Sequence, residues 1–127
     1  LSTPTVYGEL DRLREEARTD ISPAPVAPSV DPTVLQALRS GDAHALGLAL
    51  RNGLQAAACS LRPDLADLIH LGVSQGALAG IVSGSGPTVA FLTADESAAI
   101  DLHIMMSALG HVALHVHGPV PGAKVVR

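Results

Sequence analysis

Residues 80–92 read Gly-Ile-Val-Ser-Gly-Ser-Gly-Pro-Thr-Val-Ala-Phe-Leu, and no other stretch restricts the fold as tightly. A β-branched run enters the loop Ser83–Thr88 and a second apolar run leaves it. Short apolar runs on either side of glycines predict two strands, 78–82 and 88–93, joined as a hairpin. Gly84 and Gly86 permit positive φ and close approach of the backbone to another group. Ser83, Ser85 and Thr88 add hydroxyl groups without bulk. Two readings are open at this point. The loop is either a hairpin turn with no ligand, or a surface whose N–H groups face an anion, as in a nest.

The flanks exclude the familiar nucleotide loops. A Walker A loop needs Gly-Lys-Ser/Thr and a following helix, whereas this chain continues as strand. A dinucleotide fingerprint also opens a helix and needs a third glycine. A nucleophile elbow needs glycines two residues either side of the serine, and Ser85 has Ser83 and Pro87 there.

Upstream of the hairpin the pattern is helical. Thr3 as N-cap and Pro4 in the first turn open a helix over 3–16, with Val6, Leu10 and Leu13 at helical spacing. Asp11, Glu15 and Glu16 read as a solvated face. Pro23, Pro25, Pro28 and Pro32 make 20–32 a loop. Asp31-Pro32 starts a helix through Leu38, closed by Ser40-Gly41. Asp42 caps the next, with Leu46, Leu50, Leu54 and Ala57 on one face and a break or bend at Asn52-Gly53. Pro63 opens another, carrying Leu65, Leu68 and Ile69, with Gly76 as its stop and Gly72 as an earlier candidate. After the hairpin, Thr93 and Glu96 form the ends of a capping box. The helix behind it points Ala98, Leu102, Met105 and Leu109 inward and ends at Gly110. Val112–His117 alternates as a strand, and Lys124–Val126 reads as a last one. The expected fold is α+β, helices on one face of an antiparallel sheet, in a single domain over 1–127.

Composition narrows the partners. Tyr7 and Phe91 are the only aromatics in 127 residues, so the core is Leu, Val, Ile and Ala. A net charge of −4 without a Lys/Arg block argues against nucleic acid. The apolar runs are too short to span a bilayer. The single cysteine, Cys59, has no partner for an internal disulfide and fits a reducing, cytoplasmic compartment. With no activating group near it in sequence, Cys59 reads as a small buried apolar residue. His115 and His117 share one face of the expected strand near His111, but no carboxylate or cysteine accompanies them. They read as rim histidines, and no metal site is expected. Tyr7 is either a half-buried surface residue or a platform for a ring. Leu1 stands where an initiator Met would, and Ser2-Thr3-Pro4 reads as the middle of a longer protein.

The loop and its flanks resemble the third conserved motif of the GHMP kinase superfamily. In detail, Gly80–Phe91 is similar to the version in the 4-diphosphocytidyl-2-C-methyl-D-erythritol kinase family, with a pattern nearest to actinobacterial members. Ser2-Thr3-Pro4-Thr5-Val6-Tyr7 resembles that family's Ser/Thr-Pro-x-x-Tyr/Phe segment. Arg51-Asn52-Gly53-Leu54-Gln55, followed by Arg62-Pro63, resembles its Asn-Asp-Leu…Pro stretch, with Gly53 in place of the usual Asp; that stretch reads as structural.

The resemblance implies a ferredoxin-like C-terminal domain and a set of roles. Tyr7 matches the aromatic residue that stacks on the substrate's cytosine, and Thr3 a hydroxyl near its methylerythritol end. Ser83, Gly84, Ser85, Gly86 and Thr88 match the loop that packs against the ATP phosphate-binding loop. The family's Pro-x-x-x-Gly-x-Gly-Ser-Ser-Ala loop and its catalytic Lys and Asp have no counterpart here. The resemblance therefore implies ATP with Mg2+ and a cytidine-diphosphate-linked acceptor as ligands of an intact kinase. It places the transfer residues in that kinase's N-terminal half and none in this chain. Alternatives are a GHMP kinase with another acceptor, or a non-enzymatic ferredoxin-like binding module.

Overall fold

The computed structural model describes residues 1–17, 31–118 and 120–126. Most of the proline-rich stretch 20–32 lies outside the described residues. Six helices and two strands follow in the order α1 (Thr3–Glu16), α2 (Pro32–Ser40), α3 (Ala43–Ala49), α4 (Gln55–Leu61), α5 (Asp64–Ser74), β1 (Ala79–Val82), β2 (Val89–Leu92) and α6 (Glu96–Ala108). This is the α+β class expected from the sequence.

The hairpin is antiparallel, with Gly80 opposite Phe91 and Val82 opposite Val89. Phe91 sets how α5 meets it. A Cβ on Gly72 of α5 or on Gly80 of β1 would overlap the Phe91 ring, so these glycines make room for that ring. Behind the ring, Ala77, Leu102 and Met106 form one buried cluster with Leu68 and Leu71 against it. The second cluster joins Val6 of α1, Ala57 and Ala58 of α4, Leu65 of α5 and Val82 of β1. Alanines at the α4 contact let α1 approach closely, and burial of these side chains is the main favourable term holding the helices to the hairpin.

Several helix ends differ from expectation by one to three residues. The N-cap of α1 is Ser2, whose hydroxyl accepts from the Thr5 amide at 3.3 Å; Thr3 is already helical. Asp95, not Thr93, caps α6, its carboxylate accepting from the Ala98 amide at 2.9 Å. A carboxylate adjacent to the first helical residue out-competes a hydroxyl two positions earlier. Along α6 the buried residues are Leu102 and Met106, with Met105 half-buried, whereas Leu109 at the C-cap is 57% exposed. The chain between Leu46 and Ala57 breaks rather than bends, giving α3 and α4.

The larger correction concerns 112–117 and 124–126. Neither forms a strand among the described residues. Alternation is present, but Val112 is 99% exposed and Leu114 and Val116 are also exposed, while Ala113 touches the core. A groove of about 510 Å³, lined by β2, α6 and residues 111–116, separates this segment from the hairpin. A strand is defined by its ladder, and across that groove no ladder forms. Among the described residues no helix is long and apolar enough to cross a membrane.

Candidate functional site

The glycine loop closes as a tight hairpin end. The Ser83 amide donates to the Thr88 carbonyl at 2.8 Å, and the Gly86 amide donates to the Ser83 carbonyl at 3.0 Å. Gly84 and Gly86 take φ values of 58° and 76°, which L side chains rarely adopt, and the Gly86–Pro87 peptide bond is cis. Two of the loop's amides thus secure the hairpin instead of facing outward, which reduces its capacity as an anion nest.

Helix α1 reaches this loop at its first turn. The hydroxyls of Thr3 and Ser85 lie 3.0 Å apart, 82 positions separated in sequence. Tyr7 stands one turn further along α1, on the same side as Thr3, and is 52% exposed. Pro4 pre-sets the helical φ at the start of α1, and buried Val6 anchors the same turn in the core. The structure therefore brings Thr3, Ser85 and the glycine loop together, with Tyr7 presented beside them.

The frame behind the site is polar. Glu9 accepts from Arg12 Nε at 2.7 Å and Nη2 at 2.6 Å, and from the Ser60 hydroxyl at 2.5 Å, tying α1 to α4. The Arg12 guanidinium and then the Ser60 hydroxyl hold the Glu9 carboxyl down at about 2. Asp11, Glu15 and Glu16 are exposed, as expected for a solvated face. Cys59 is half-buried against the first cluster, and burial pushes its thiol up, away from the reactive thiolate. His111 and His115 line the groove beside β2, and no group of three or more His, Cys, Asp or Glu among the described residues is placed to hold a metal ion.

Two residues that sequence reasoning left as structural touch the loop or the end of β1 that leads into it. The Asn52 amide nitrogen donates to the carbonyls of Val82 at 2.7 Å and Gly84 at 2.8 Å. Gln55 accepts from the Val82 amide at 3.0 Å. Their place in the Asn-Gly-Leu-Gln segment is the sequence signal; nothing local in that segment identifies a partner 30 residues away.

Residues 34–110, from within α2 through α6, match the model of the GHMP kinases C terminal family. The chain belongs to the GHMP kinase C-terminal family. The family match includes the glycine loop and Asn52, whereas Thr3 and Tyr7 precede it. Similar proteins extend over those positions too. A protein from Leifsonia xyli subsp. xyli named 4-diphosphocytidyl-2-C-methyl-D-erythritol kinase is 56% identical over 99% of this chain and 41% of its own length. One of the same name from Clavibacter michiganensis subsp. michiganensis is 54% identical, over 99% of this chain and 40% of its own. Another from Mycolicibacterium smegmatis is 50% identical, over 99% and 38%. The chain thus spans about 40% of the length of the curated relatives it matches.

Proposed function

We propose that this chain is the C-terminal part of an ATP-dependent kinase that phosphorylates the 2-hydroxyl of 4-diphosphocytidyl-2-C-methyl-D-erythritol in non-mevalonate isoprenoid precursor synthesis. The observation that carries the reading is the 3.0 Å approach of Thr3 to Ser85, which sets the start of α1, with Tyr7, against the glycine loop. The relatives' names, at 50–56% identity over nearly the whole chain, supply the substrate.

In this reading Tyr7 offers its ring to the cytosine, since an exposed aromatic on a fixed helix stacks on a base without ordering a loop. Thr3 lies toward the methylerythritol end and contributes a hydroxyl to it. Ser83, Gly84, Ser85, Gly86 and Thr88 form a wall that packs on the ATP phosphate-binding loop and excludes water from the transferring phosphoryl group. Phosphoryl transfer depends mostly on positioning and on charge stabilisation. The chain contributes positioning. Mg2+ would neutralise charge on the ATP phosphates, and the groups that hold it, with the catalytic Lys and Asp, belong to the N-terminal half. The intact protein works in the cytoplasm.

The test is a coupled assay of ATP turnover with the cytidine-linked acceptor. The intact protein is expected to turn over and the isolated 127 residues are not. Turnover by the 127 residues alone would contradict the division of labour. Turnover of the intact protein only with another alcohol would place it elsewhere among the GHMP kinases, and ligand binding without turnover would favour a non-enzymatic module.

A further inference from the structure

The glycine loop is held from outside the hairpin by two side-chain amides. Val82 is the last residue of β1, and its N–H and C=O both point to the strand's open edge. An edge N–H or C=O that is partly buried needs a partner. Here Gln55 Oε1 accepts from the Val82 amide at 3.0 Å, and Asn52 Nδ2 donates to the Val82 carbonyl at 2.7 Å. The two side chains stand where a third strand would. Asn52 reaches one step further, because the same nitrogen donates to the Gly84 carbonyl at 2.8 Å. Its oxygen accepts from the Leu54 amide at 3.0 Å, closing an Asx turn that fixes which end of the amide faces the loop.

The anchor behind these amides is firm. Gln55 opens α4, whose Ala57 and Ala58 are fully buried against Val6 and Val82. Helix α1, which carries Thr3 and Tyr7, packs on the same α4 and is tied to it by Ser60 and Glu9. One short helix thus sets the position of both α1 and the loop. We propose that Asn52 and Gln55 are positioning residues that hold Gly84 and the loop in the conformation used for phosphoryl transfer. The kinetic part of this proposal rests on the kinase reading above; the holding of the loop does not.

The hydrogen-bond roles make an unusually selective test. Asn52 acts on the loop through its nitrogen and Gln55 through its oxygen. Replacing each amide by the carboxylate of the same shape should therefore have opposite outcomes. Asn52→Asp puts an oxygen against two carbonyls and loses both donors. Gln55→Glu keeps an acceptor for the Val82 amide. The experiment is amide hydrogen exchange and steady-state kinetics on the full-length protein containing this chain. For Asn52→Asp, exchange at Ser83 and Gly86 should quicken about tenfold or more while α5 amides are unchanged. Its kcat should fall about tenfold to a hundredfold with the acceptor KM held. Gln55→Glu should stay within about twofold of wild type in both.

Asn52→Ala, which removes the donors without adding charge, should show the same loop exchange as Asn52→Asp and guards against an effect of charge on folding. Unchanged exchange at Ser83 and Gly86 in both Asn52 variants would overturn the holding role. Equal effects of Asn52→Asp and Gln55→Glu would also overturn it, leaving only space-filling. Faster exchange with normal kcat would overturn the link to turnover. An inactive wild-type protein would refute the kinase reading while the exchange result still judges the clamp.

Discussion

Thr3 and Ser85 share a hydrogen bond of 3.0 Å between their hydroxyls, joining the first turn of α1 to the tip of the β1–β2 hairpin. Neither residue is buried, so the bond is made in competition with water and contributes modestly to stability. Its importance is geometric, because it fixes the distance between the helix that presents Tyr7 and the loop that follows β1.

That coupling is measurable. In a double-mutant cycle of Thr3→Val and Ser85→Ala, urea unfolding should give an interaction energy of about 0.5–1 kcal/mol. Strict additivity of the two substitutions would mean that the hydroxyls do not hold one another in solution.

The seat of Phe91 predicts a larger effect. A Cβ at Gly72 would fall 2.6 Å from Phe91 Cζ, so Gly72→Ala overpacks the α5–hairpin contact. The expected cost is about 1–3 kcal/mol, reduced by up to about 1 kcal/mol from the better helix propensity of alanine. Adding Phe91→Leu should recover part of the loss. Equal stability of wild type and Gly72→Ala in chemical denaturation would show that the ring moves aside freely.

Much of this architecture was legible in the sequence because it is local. Pro4 with Val6, Leu10 and Leu13 marked α1, Asp31-Pro32 and Asp42 marked two helix starts, and the hairpin followed from its glycines. The errors came where two residues could perform one task. Ser2 and Thr3 both carry a capping hydroxyl, and Thr93 and Asp95 both precede α6. Met105 and Met106 are adjacent, and it is Met106 that is buried with Ala77 and Leu102 while Met105 packs at the edge of that cluster. Alternation in Val112–His117 reports what a segment can pair as, not whether a neighbour lies within reach. The Asn52 contacts with Val82 and Gly84 were invisible for the same reason, since a partner 30 or more residues away leaves no local signature. The candidate site was legible chiefly through its resemblance to a family; the bond between Thr3 and Ser85 was not.

Acid should weaken the α1–α4 junction in a defined window. Glu9 is held down at about 2, against 4.5 ordinarily, by Arg12 and Ser60. The unfolded chain therefore binds the proton first. The contribution of the ionised group to stability is complete above pH 4.5 and is lost as pH falls through about 2. Asp64 beside Arg62 and Asp31 beside Thr33 are lowered as well and add to the acid sensitivity of the whole chain. The Glu9 share is isolated by comparison with Glu9→Gln. The difference in urea midpoint between the two proteins should be constant at neutral pH and shrink steadily below pH 4.5. A difference independent of pH would show that the Glu9 charge does not secure the junction.

In the proposed function this chain supplies the acceptor wall of a kinase site and not its transfer chemistry. The acceptor KM of the full-length protein with Tyr7→Ala and Tyr7→Phe tests it most directly. Loss of a base-stacking ring should raise KM about tenfold to a hundredfold for Tyr7→Ala with kcat maintained, and Tyr7→Phe, which keeps the ring, should match wild type. An unchanged KM in Tyr7→Ala, or a fall in kcat without a rise in KM, would contradict the account.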